Sequence, residues 1–94
     1  MAEVRGYTVQ ARSTGTFGRV QCSTRNHHFI VDGPVQNGCP GEAITPAELF
    51  LAGIAACGVE LVQVIGREQG LAPRVQVDIE GAVDRANPVG KDVT

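Results

Sequence analysis

The chain is expected to fold as an α+β protein: an antiparallel β-meander, one long apolar central helix, and a further strand. Three observations predict this. Short runs of alternating apolar and polar residues, separated by turn residues, fill the first third of the chain. One segment from Thr45 to Gly70 carries helix-boundary residues at both ends, and an alternating pattern returns after Pro73.

Gly6 to Arg12 alternates Tyr7, Val9 and Ala11 with Thr8, Gln10 and Arg12, the pattern of a strand with one buried face, and ends in Ser13-Thr14-Gly15-Thr16. A second strand, Phe17 to Ser23, places Val20 and Cys22 on one face, and His27 to Val31 forms a third before the turn Asp32-Gly33-Pro34. Val35 to Ile44 has no periodicity and reads as a loop.

The helix is the strongest local signal. Thr45 is its N-cap, Pro46 its first residue, and Glu48 completes a T-x-x-E capping box; Gly70 closes it, with Arg67 complementing the last turn. From Leu49 to Ile65 thirteen of seventeen residues are apolar, the exceptions being Gly53, Gly58, Glu60 and Gln63. No polar face of ordinary width remains. The stretch is short for a membrane span and carries Glu60 and Gln63 without cationic anchors, so a buried helix is expected and no membrane partner. About 24 residues make a helix of about 36 Å, longer than the roughly 30 Å diameter of a compact domain of this size. One small chain cannot enclose it, which predicts a homodimer built around central helices.

Val75, Val77, Ile79, Gly81 and Val83 then alternate with Gln76, Asp78, Glu80 and Ala82 as a long fourth strand, and Asn87-Pro88-Val89-Gly90 reads as a hairpin turn. No return strand follows before Thr94. Residues 1–94 are therefore expected to form a single but incomplete domain with an open ladder edge.

Composition narrows the function. A net charge of −2 leaves no electrostatic footprint for nucleic acid, and 43% apolar with 19% charged residues is ordinary for a soluble chain. The start of the chain has no apolar signal core, which predicts a cytoplasmic protein with reduced thiols. Cys22, Cys39 and Cys57 are spaced by 17 and 18 residues, matching neither a redox pair nor a zinc framework. His27 and His28 point to opposite faces of one strand. No metal and no cofactor is expected. Cys22 falls on an apparently buried strand face, and Cys39 sits in Gly38-Cys39-Pro40-Gly41, where small neighbours would let it swing.

Cys57 lies mid-helix, a position where a cysteine is commonly a small buried hydrophobe. Gly53 and Gly58 flank it at about 1 kcal/mol each against alanine, which calls for something, a partner helix or a small substrate, to come close. A reactive thiolate there also needs a cationic neighbour from another element.

The string Asp32-Gly33-Pro34, a glycine-containing loop, and then Thr45-Pro46-Ala47-Glu48-Leu49-Phe50-Leu51-Ala52-Gly53-Ile54-Ala55-Ala56-Cys57 resembles the OsmC/Ohr family of thiol-dependent peroxide reductases. The likeness continues through Arg67-Glu68-Gln69-Gly70 into the Val75 to Gly81 strand. It implies an intertwined homodimer, a small organic hydroperoxide as substrate, an external thiol or dithiol as reductant, and Cys57 as the peroxide-reacting cysteine. It also implies a resolving cysteine near the C-terminus, in a stretch that these 94 residues do not contain. Some relatives carry a Gly-Gly-Arg turn after the first strand; here Phe17 stands at the ungapped arginine position, and Arg19 and Arg25 are the candidates to serve Cys57. A functional glutamate of the relatives aligns with Ala47, next to Glu48. Nine helical residues put Glu48 and Cys57 on opposite faces about 13 Å apart, so Glu48 would reach the site only across a dimer. The second reading is a non-catalytic dimeric module of the same fold that binds a small apolar ligand or serves as an assembly unit.

Overall fold

A computed structural model describes residues 4–82, which belong to two compact units, one up to Leu49 and one from Phe50 onward. The described residues are α+β: three antiparallel strands and one long helix.

In the first unit, β1 (Gln10–Ser13), β2 (Arg19–Thr24) and β3 (His27–Asp32) pair in the order β1-β2-β3. The register sets Ala11 opposite Cys22 and Cys22 opposite Phe29, and Arg19 opposite Asp32. A two-residue turn joins β2 to β3, and Arg25 there adopts φ 51°, the left-handed region that tight hairpin turns use. Cys22, Val31 and Asp32 are the buried residues of this unit. A one-turn 3-10 helix, Val35–Asn37, lies inside the segment expected to be a plain loop.

The first strand differs from expectation. It begins at Gln10 rather than Gly6, and Tyr7 and Val9 are exposed. The sequence alternates there, but the strand and the residues before it are exposed, since a sheet buries a face only where another layer packs on it.

Helix α1 runs Pro46–Glu68. Its start is the expected capping box: the Thr45 amide and hydroxyl donate to Glu48 Oε1, each at 3.0 Å, and the Glu48 amide donates to Thr45 Oγ1 at 3.3 Å. Those donors hold the Glu48 carboxyl below its usual range. Its end is equally well marked. Gly70 takes φ 76°, its amide donates to Arg67 O, and the Leu71 amide donates back to Gly66 O at 2.8 Å, satisfying carbonyls the helix leaves open.

Gly66 is the buried residue of α1. A Cβ there would meet Pro73 Cδ at 2.8 Å, so the chain folds back over the helix at the one position without a side chain. From Leu71 to Ala82 the chain is extended. Pro73, Val75, Val77 and Ile79 are half-buried while Arg74, Gln76, Asp78 and Glu80 are exposed. The expected fourth strand is therefore corrected over its described part. Its alternation holds, with Val77 lying near Gly58 and Leu51 near Gly81, but the backbone is in no ladder among the described residues, since a strand exists only where a second strand pairs with it. Val83 and the turn expected at Asn87 to Gly90 lie outside the described residues.

The apolar girth of α1 is open in the single chain. Phe50 is 69% exposed, Leu61 53% and Ile65 54%. The helix is long and apolar enough to cross a membrane, with a mean hydropathy of 2.0 over its most apolar stretch.

Candidate functional site

Cys57 occupies the middle of α1 with its side chain exposed. Its two glycine neighbours have room: Gly53 faces open space, and a Cβ on Gly58 would make ordinary contact with Val77 at 3.6 Å. Among the described residues nothing crowds either glycine. Ile54 and Leu61 are exposed on the same helix.

Arg19 is the best-anchored side chain of the first unit. Its Nε donates to Asp32 Oδ1 at 2.8 Å and its Nη2 to Asp32 Oδ2 at 2.9 Å, a bidentate pair, while Nη2 also reaches Glu42 Oε1 at 2.7 Å. Asp32 has no exposed surface, and its Oδ2 accepts from the amides of Glu42 and Ala43, each at 3.0 Å. The Asp32 amide donates to Ile44 O. The Arg19 hydrogen bonds, supported by those amides, hold the Asp32 carboxyl down at about 2, although burial opposes it. The two carboxylates in turn raise Arg19 above its usual value. Asp32 thereby ties the ends of two strands to the segment that leads into the helix cap. Sequence reasoning took Asp32 as a turn residue; the cross-strand placement opposite Arg19 is the signal that would have found it.

Arg25, the other candidate arginine, sits exposed in the β2–β3 turn and makes no hydrogen bond or ion pair among the described residues. Glu48 is engaged in the helix cap. Cys22 is buried, as expected. Cys39 is half-buried, and its Sγ lies only 2.5 Å from where a Cβ on Gly33 would stand. Small neighbours pack this thiol against two strand ends instead of freeing it. Ser23 Oγ and His28 Nδ1 lie 2.9 Å apart on the exposed sheet, and no cluster of metal-ligating residues occurs among the described residues.

The second unit also contains a groove of about 500 Å³ where the chain doubles back at Gly66, lined by Glu60, Gln63, Val64, Arg67, Leu71 and Arg74 among others. Sequence reasoning noted Glu60 and Arg67 only as polar residues of the helix. Comparison of the chain with protein families, with curated proteins and with solved structures gives no match.

Proposed function

We propose that the protein is a cytoplasmic, homodimeric thiol peroxidase that reduces organic hydroperoxides, similar to the OsmC/Ohr family, with Cys57 as the reacting cysteine. The observation that carries this reading is an exposed thiol midway along an apolar helix, beside two glycines that nothing crowds among the described residues. The Cys57 thiolate attacks one peroxide oxygen, the O–O bond breaks, the alcohol departs with a proton, and Cys57 is left as a sulfenic acid. Two equivalents of an external thiol, or one of a dithiol, restore the Cys57 thiol and leave as a disulfide, with the sulfenic oxygen released as water. In this reading the positive charge that favours the thiolate is supplied by Arg25 or Arg19, and Glu48 contributes across the dimer.

The homodimer is supported by two surfaces that need cover: the exposed apolar side chains of α1 and the extended segment from Pro73 to Gly81, which is in no ladder among the described residues. A second chain supplies both an apolar face and strand edges. An alkyl peroxide suits such surroundings better than hydrogen peroxide.

Peroxide consumption by the purified chain tests the reading. Without added thiol, about one equivalent of an alkyl hydroperoxide is consumed per Cys57, and dimedone traps the sulfenic acid. Cys57→Ser abolishes both. Unchanged consumption in Cys57→Ser removes the enzyme reading and leaves the non-catalytic module.

A further inference from the structure

The groove beside Gly66 has a charge pattern that no part of the reaction described above uses. On α1, residues 60 and 67 are seven apart, which sets Glu60 and Arg67 on nearly the same face, about 10.5 Å from each other along the axis. Arg74, on the returning extended segment, lines the groove with Arg67. None of these three side chains makes an ion pair or hydrogen bond among the described residues. The groove thus carries one negative and two positive groups, a net charge of +1, around an apolar wall that includes Val64 and Leu71.

We infer that this groove binds a small zwitterionic peptide thiol, with its ammonium group at Glu60 and its carboxylates at Arg67 and Arg74, and that this thiol is the reductant of Cys57. Three features select the ligand. A three-residue extended peptide spans about 10 Å, which matches the separation of Glu60 from Arg67. One ammonium and two carboxylates complement one carboxylate and two guanidinium groups, and guanidinium forks pair carboxylates bidentately. The volume of about 500 Å³ falls in the range of small-molecule sites.

Helical geometry brings the site to the thiol. Cys57 precedes Glu60 by three residues and Val64 by seven, so Cys57, Glu60, Val64 and Arg67 share a sector of about 80°. A ligand lying along the groove has its Glu60 end one turn from Cys57. The role as reductant rests on the peroxidase reading. The first thiol condenses with the Cys57 sulfenic acid to a mixed disulfide and water; a second attacks the mixed disulfide, releasing the Cys57 thiol and the oxidised, disulfide-linked ligand. Two electrons leave two thiols and match the two taken up by the peroxide.

Binding and chemistry are tested separately on the full chain. Calorimetric titration with S-methylglutathione, which cannot reduce anything, should show binding that weakens at least about tenfold in the double variant R67Q/R74Q and several-fold in E60Q, with Cys57→Ser binding as wild type. Equal affinity in wild type and R67Q/R74Q, or no binding to wild type, overturns the site. In steady-state turnover of an alkyl hydroperoxide, R67Q/R74Q should lose at least about tenfold in kcat/KM for glutathione while dithiothreitol, a neutral dithiol, supports it as it supports wild type. Equal losses with both thiols overturn the reductant role. Arginine-dependent binding of S-methylglutathione by a chain that consumes no peroxide keeps the site and overturns the peroxidase reading with its reductant role.

Discussion

The two units of the chain solve the problem of burial in opposite ways. Up to Leu49 a small sheet is held by polar chemistry: fully buried Asp32 pairs with Arg19 and gathers two backbone amides, and few apolar side chains are buried around it. From Phe50 onward most side chains on the helix are apolar, yet Gly66 is the residue of α1 that is buried. Polar networks saturate locally, since each donor and acceptor finds a partner within reach. Apolar surface does not saturate, and an apolar helix keeps a driving force for association of roughly 25 cal/mol per Å² until something covers it.

If the contrast holds, the largest effect comes from removing the polar tie of the first unit. Asp32→Ala leaves Arg19 without its bidentate partner and two amides without an acceptor, and should lower the thermal midpoint by roughly 10 °C or more. A midpoint within 2 °C of wild type, measured by circular dichroism, would show that the tie is ornamental.

The second unit is broken by charge. Ile54→Arg or Ala56→Arg should convert a dimer into monomer or aggregate in sedimentation at micromolar concentration, because an unpaired charge in a desolvated interface costs several kcal/mol. A wild-type chain that sediments as a folded, monodisperse monomer contradicts the dimer outright.

Thiol reactivity sharpens the comparison between the units. Exposed Cys57 should alkylate at least about tenfold faster than buried Cys22 at neutral pH, read by peptide mass mapping. Comparable rates would mean that the sheet opens as readily as the helix face is reached.

Acid provides a subtler distinction. The Asp32 carboxyl is depressed to about 2 in the folded chain, so its contribution to stability is complete above the ordinary carboxylate pKa and is lost as pH falls from about 4 towards 2. The wild-type midpoint should drop through that window and the Asp32→Asn midpoint should stay flatter. The smallest effect belongs to the cap that opens α1: Thr45→Ala should cost about 1 kcal/mol in denaturant unfolding.

Legibility in the sequence followed the range of the interaction. The capping box at Thr45 and Glu48, the closing Gly70, the hairpin between β2 and β3 and the buried Cys22 could all be read, because each depends on residues a few positions apart or on a simple alternation. The Arg19–Asp32–Glu42 cluster could not, since its members are 13 and 23 residues apart and only the β2–β3 register brings them together. The packing of Cys39 could not be read for the same reason: the loop residues around it are small, but the strand ends at Gly18 and Gly33 that pack on its sulfur come from elsewhere in the chain. The groove at Gly66 needed the return of the chain at Pro73 to exist at all.

By itself the sequence determined an α+β chain with a meander, a capped apolar helix and an alternating tail, because backbone propensity, capping and periodicity are local and add along the chain. The tertiary structure alone decided which charged groups meet, that the chain from Leu71 to Ala82 lies extended in no ladder among the described residues, and that of the glycines beside Cys57 one faces open space while the other lies near Val77. Those outcomes depend on contacts between distant segments, whose geometry is set by strand register and by where a chain can fold back over a residue that has no side chain.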